Sequence, residues 1–282
     1  MHKLPLNDIS GDNDIDKLSY LLEQTAGFKC KWVDPICFDK TSQVGETCKL
    51  KALHEVMTHF TNKERHPSIV PLYEDMTKKP SPSPFSSLFS IARDEGSQVG
   101  EMYSMESLER LCNTMDFDSE AIFPHTTDEY VSILRQKIDN QMLSIVFFDV
   151  DCTEGARFAL PRIGDGGNEH AVILIGYYFN EWDETQFIAY CWDDYYIYDG
   201  MELALSAFSL PKQHPPEVFF NDSVNPYRWS KLDEKTILQL GAKNAVFICQ
   251  KSREVVDSET SLKGGILSVK PLENQPERLC QF

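Results

Sequence analysis

A cysteine opening an amphipathic helix, a histidine opening a strand and a carboxylate ending the next strand can together perform nucleophilic acyl transfer. Cys48 lies in Gln43-Val44-Gly45-Glu46-Thr47-Cys48-Lys49-Leu50. Leu50, Leu53, Val56, Met57 and Phe60 recur at helical spacing, which predicts an amphipathic helix over 48–62. Gly45 breaks the chain before it, and Thr47 is the expected N-cap. Cys48 then sits in the first turn, where unpaired N–H groups and the helix dipole favour a thiolate. His170 follows the glycine-rich stretch 164–169 and opens the most strand-like run of the chain. The next strand-like run ends in Trp192-Asp193-Asp194. In a triad the imidazole takes the thiol proton, and Asp193, or failing that Asp194, fixes its tautomer. Singly, each residue also has a plain structural use: a small core thiol, a strand-capping histidine, turn aspartates. Their order along the chain favours the catalytic set.

The elements that must position these residues fall into two halves. Helical periodicity recurs through Ile15, Leu18, Leu21 and Leu22, closed by Gly27, and again through Met105, Leu108, Leu111, Cys112 and Met115. Thr126-Thr127-Asp128-Glu129 reads as a capping box ahead of Val131, Leu134 and Ile138. Beyond it, short β-branched and aromatic runs at 144–150, 171–179, 186–192, 195–198 and 245–250 predict one mainly antiparallel sheet, with a helix over 230–241 between the last two. Helices first and strands later indicate an α+β fold. Residues 1–13 are a polar lead-in, 14–250 a catalytic domain, and 251–282 a C-terminal extension with one strand at 266–270. The Pro/Ser-rich stretch at 78–87 is a surface loop inside the domain.

The formal net charge of −17 excludes general binding to nucleic acid or anionic membranes. Eight cysteines occur without a C-x-x-C pair, so zinc ribbons and thioredoxin-type redox sites are not indicated. No signal peptide or run of transmembrane length is found, and free thiols in a reducing cytoplasm are expected. The host cytosol is the alternative, for an exported bacterial effector. His54-Glu55-Val56-Met57-Thr58-His59 has one residue too many for a zinc helix motif, because histidines five apart point about 140° apart. Asp149, Asp151, Asp165 and Glu169 match no calcium loop. No metal or cofactor is expected.

The nucleophile segment, continued by Ala52-Leu53, resembles the Q-x-G-P-x-C-G-L-x-A-L segment of the actin maturation protease family, a papain-like group related to bacterial double-glycine leader peptidases. Gly100-Glu101-Met102-Tyr103-Ser104 is similar to that family's G-E-M-F-S segment. The run ending at Asp151, His170-Ala171-Val172 and 203–210 follow in the same order, so the resemblance spans roughly residues 40–250. It implies a papain-like cysteine peptidase fold, with Gln43 and the Cys48 N–H forming the oxyanion hole. It also implies a protein substrate, processing of the actin N-terminus being the family's activity. Glu46 stands where the family has Pro, and Lys49 where it has Gly. Lys49 is therefore expected beside the substrate groove, helping to hold Cys48 as a thiolate. Lys49 and Lys51, with Lys29 and Lys31, are the candidates for a basic patch that would receive an acidic actin terminus. The same triad also supports deamidation, transglutamination or isopeptide cleavage, and a catalytically inactive binding module is a further alternative.

Overall fold

The computed structural model describes residues 30–33, 38, 43–64, 71–73, 87–150, 160–164, 166, 168–192, 194–212, 217–221, 229–231, 246–250 and 261–271. The helix expected around residues 15–22, nearly all of the Pro/Ser loop, Lys29 and Asp193 lie outside them. The elements are β1 (Lys31–Trp32), α1 (Cys48–Glu64), α2 (Leu88–Asp94), α3 (Met105–Thr114), β2 (Phe117–Ile122), α4 (Thr127–Asp139), β3 (Leu143–Asp149), β4 (Glu169–Phe179), β5 (Thr185–Cys191), β6 (Asp194–Asp199), α5 (Gly200–Ser209), β7 (Glu217–Asn221), β8 (Trp229–Lys231), β9 (Val246–Gln250) and β10 (Ile266–Pro271).

The main sheet runs β2-β10-β3-β4-β5-β6, with β1 beside β4. Every pairing within it is antiparallel. A second sheet has the order β8-β7-β9. The architecture is α+β with an antiparallel sheet, as the run of helices and then strands predicts. The segment read as a C-terminal extension supplies β10, an inner strand between β2 and β3. The helix expected from residue 230 does not begin there, because 229–231 pair with β7 as a strand. β2 and α2 were not expected. α2 starts on a capping box in which the Ser87 hydroxyl accepts from Ser90 N and the Ser90 hydroxyl from Ser87 N.

The side-chain period of two divides the sheet into two faces. One carries Ile145, Phe147, Ala171, Ile173, Ile188 and Tyr190, and packs in one core with residues of α1, α2 and α3. The other carries Val146, Phe148, Val172, Leu174, Ala189 and Cys191, packed with Tyr130 and Leu134 of α4 and Leu203 and Ala207 of α5. Burying two such faces removes enough apolar surface to drive folding.

α1 departs from the amphipathic expectation. Its apolar stripe faces the core, yet Lys49, Lys51, His54, Glu55 and His59 are buried as well. Charged side chains reach the interior only when paired, and among the described residues Lys49 pairs with Glu101 and Glu169, and Lys51 with Glu55.

Candidate active site

Cys48 is the first residue of α1, as the sequence predicts. The turn before it forms because Gly45 adopts a φ of 65°, a left-handed conformation that costs glycine little. Thr47 does not cap the helix with its side chain. Its hydroxyl donates to Val44 O at 3.0 Å and pairs with the Tyr73 hydroxyl at 2.6 Å. The contact with Val44 closes the turn, and the contact with Tyr73 ties it to the segment at 71–73.

A second copy of the same tetrapeptide lies against this turn. Gln-Val-Gly-Glu occurs at 43–46 and again at 98–101. Gly100 has a φ of 90°, and a Cβ built on it would clash with Thr47 Cγ2. The recurrence was legible in the sequence as two glycine turns, each followed by a glutamate. The second glutamate, Glu101, reaches back to Lys49.

His170 lies in β4 opposite Phe148. By register its side chain belongs to the face of Phe148 and Val172, whereas α1 packs on the other face. His170 and Cys48 nonetheless line one small cavity of about 10 Å³, with Gln43, Cys191 and Trp192 also on its wall. That volume is about the space of a single water.

The contact made by the histidine ring is not the one expected. His170 Nε2 lies 2.8 Å from Cys191 Sγ. Cys191 thus stands in the place that the sequence reading gave to Asp193 or Asp194. Asp194 opens β6, pairs across the turn with Cys191, and accepts the N–H of Tyr195 on its own Oδ1 at 2.9 Å. Strand alternation explains the exchange: Cys191 falls on the same face as Val172 and Ala189, so it points where the ring points.

Trp192, also missed by the sequence reading, covers the ring. The two ring centroids are 4.4 Å apart, and Trp192 Nε1 donates to Gln43 Oε1 at 2.9 Å. Trp192 holds a φ of 49°, a conformation that side-chain-bearing residues adopt at a cost and that clusters at functional sites. Gln43 is aligned by this bond and by its own Nε2, which donates to Gly45 O at 2.9 Å.

The loop ahead of His170 is organised by Asp149, which is fully buried at the end of β3. Its carboxylate accepts from Arg162 Nε at 3.0 Å, Asn168 N at 3.2 Å and Gly166 N at 3.3 Å. The Ser206 hydroxyl, 3.1 Å from Asp149 N, links the same residue to α5. Among the described residues no cluster of three potential metal ligands occurs.

Electrostatics reverse one expectation. Burial, followed by the negative charge of Glu101, pushes the Cys48 thiol up to about 12, and Lys49 only partly opposes this. Burial, assisted by Lys49, pulls the His170 imidazole down to about 3 against the pull of Glu169. The pair is therefore a neutral thiol and a neutral imidazole, not a thiolate and an imidazolium. Desolvation in the closed cavity outweighs the helix dipole.

Lys49 is not beside an open groove. It is 1% exposed and forms ion pairs with Glu101 and Glu169. Burial works against its ammonium, but the two carboxylates hold it well above the ordinary lysine range. Lys51 is buried against Glu55, and Lys31 pairs with Asp139 at 2.9 Å. The basic patch expected from Lys49 and Lys51 does not form, because α1 turns both inward.

No family model matches the chain, and no curated protein is found to match it. No helix among the described residues is long and apolar enough to cross a membrane.

Proposed function

We propose that this protein is a cysteine peptidase with a papain-like fold, acting through Cys48 and His170. The observation that supports it is the shared cavity: the first residue of α1, a histidine from β4, and Gln43 line one site. Sγ of Cys48 attacks the scissile carbonyl carbon. His170 takes the thiol proton and passes it to the leaving amine, and water then cleaves the thioester. In the tautomer whose Nε2–H donates to Cys191 Sγ, Nδ1 is unprotonated and is the nitrogen that accepts the thiol proton. Nε2 of Gln43 and the Cys48 N–H stabilise the oxyanion. A cavity of about 10 Å³ admits no peptide, so the substrate displaces Trp192 as it enters. Rehydration then brings the thiol and imidazole back toward their ordinary ranges.

The substrate is a protein or peptide. Actin is the first candidate because of the sequence resemblance, although the buried Lys49 and Lys51 offer its acidic terminus no docking charge. The test is the mass of purified actin, and of a ubiquitin-type control, after incubation with wild type and with Cys48→Ala. Loss of N-terminal residues from actin with the wild type alone supports both reaction and substrate. A gain of about one dalton on either protein moves the reaction to deamidation on the same thioester. Turnover by Cys48→Ala overturns the assignment.

A second reading, a non-catalytic binding module, is favoured by the closed cavity and the neutral pair. It predicts that Cys48 reacts with iodoacetamide no faster in wild type than in His170→Gln.

A further inference from the structure

We propose that Lys49, clamped between Glu101 and Glu169, is a positioning residue that sets where Cys48 stands relative to His170. The inference rests on the reading of Cys48 as nucleophile and His170 as base. Lys49 follows Cys48 in α1, and Glu169 precedes His170 in β4. The Lys49–Glu169 ion pair therefore joins the neighbour of one reacting group to the neighbour of the other. Such a link is needed because His170 belongs by register to the face of Phe148, opposite the face on which α1 packs. Packing of the sheet alone does not set the distance between thiol and ring.

Three groups fix the ammonium. Glu169 holds it from β4, and Glu101 holds it from the segment before α3. The Tyr103 ring lies 5.2 Å from Nζ. Glu101 is itself oriented, since its Oε1 accepts from Met102 N at 3.2 Å. Gly100-Glu101-Met102-Tyr103-Ser104 thereby acquires a physical role, because two of its side chains locate one lysine. A lysine on a flexible stem positions nothing in water. Buried between two carboxylates it loses that freedom, because the attraction is strong where the dielectric is low.

The test is a double-mutant cycle on alkylation of Cys48 by iodoacetamide in the full chain, read by peptide mass. His170→Gln, close in size to the native ring, is expected to slow alkylation of otherwise wild-type protein at least tenfold. That ratio measures the coupling of ring to thiol. In Lys49→Met the same ratio is expected to fall below threefold, and Lys49→Arg is expected to restore most of it. Glu169→Met is run beside them because it keeps the Lys49–Glu101 pair and cuts the arm toward His170. Its ratio is also expected to fall below threefold. A purely structural lysine lowers the melting temperature and leaves the ratio at tenfold in folded Glu169→Met, which overturns the proposal. A wild-type ratio near one is a separate failure, because it removes His170 as the base and with it the reading beneath the proposal.

Discussion

His170 Nε2 and Cys191 Sγ lie 2.8 Å apart, both buried, at the point where β4 begins and β5 ends. Under the proposed mechanism, the Cys191 thiol takes the part of an orienting carboxamide or carboxylate by accepting Nε2–H in the tautomer that leaves Nδ1 for Cys48. It does so without placing a second negative charge beside the Cys48 thiol. In a site this dry, a carboxylate would add to the repulsion that Glu101 and Glu169 already exert on the thiolate.

Replacement of Cys191 separates orientation from nucleophilic attack. Cys191→Ala is expected to lower the rate of the His170-dependent reaction of Cys48 by about 10- to 100-fold, in line with loss of a general-base orienter. Cys191→Asn, which restores a hydrogen-bond acceptor, is expected to recover most of that loss. Cys48→Ala is expected to abolish the reaction in either background. Abolition by Cys191→Ala with survival in Cys48→Ala would exchange the roles of the two thiols.

Trp192 lies over the buried ring. It meets His170 at a tilt of 40° and is tied to Gln43. Trp192→Ala is expected to admit water, and the imidazole, held near 3 chiefly by burial, then rises toward its ordinary value of 6.5. Titration of the ring by NMR measures this directly. Alkylation of Cys48 by N-ethylmaleimide, which is too large for the closed cavity, is expected to accelerate at least tenfold in the same variant. An unchanged ring titration refutes the assignment of Trp192 as the desolvating group.

Periodicity revealed most of the secondary structure, because α1, α3, α4 and β3 to β6 bury their apolar residues at the expected spacing. The helix that begins at Cys48 and the strand that carries His170 were legible for the same reason. The partners of these residues were not. Lys49 reads as a surface charge on any helical wheel. It goes inside only because Glu101, 52 residues later, and Glu169, 120 residues later, arrive from other elements. Cys191 and Trp192 were visible at the end of a strand, but two aspartates beside them offered a more familiar partner for histidine. The strand at 266–270 was legible, but its place between β2 and β3 was not, because local pattern does not report nonlocal pairing.

Among the described residues, Lys49 faces two buried carboxylates, Glu101 and Glu169. Burial, reinforced by Glu169 and Glu46, lifts Glu101 to about 7 despite Lys49. Its folded value lies above its unfolded value of 4.5. The folded state thus binds this proton more tightly, and the resulting stability is fully present below pH 4.5 and lost as pH rises through 7. Glu101→Gln, which is neutral throughout, is expected to flatten the pH dependence of urea unfolding between pH 4.5 and 7. It leaves Lys49 paired with Glu169. Lys49→Met instead removes the ammonium from both buried carboxylates, and a loss of about 3–5 kcal/mol is expected at pH 7. Equal losses from the two variants would show that the cluster does not carry an excess charge.

The paired glycine turns make the last prediction. Gly100 has both a φ of 90° and neighbours where a Cβ would sit, Thr47 Cγ2 in clash and Phe89 Cε2 at 2.9 Å. Gly100→Ala therefore meets strain in the backbone and a clash with the turn that carries Cys48. A destabilisation of about 1–3 kcal/mol is expected from the backbone alone. Relief of the clash requires Thr47 to move, and its hydroxyl is bound to Val44 and Tyr73. Cys48 alkylation is then expected to change along with the melting temperature. Gly45→Ala, at a φ of 65°, carries strain of the same kind on the first turn. A Gly100→Ala variant with wild-type stability and wild-type Cys48 reactivity would show that the second turn does not support the first.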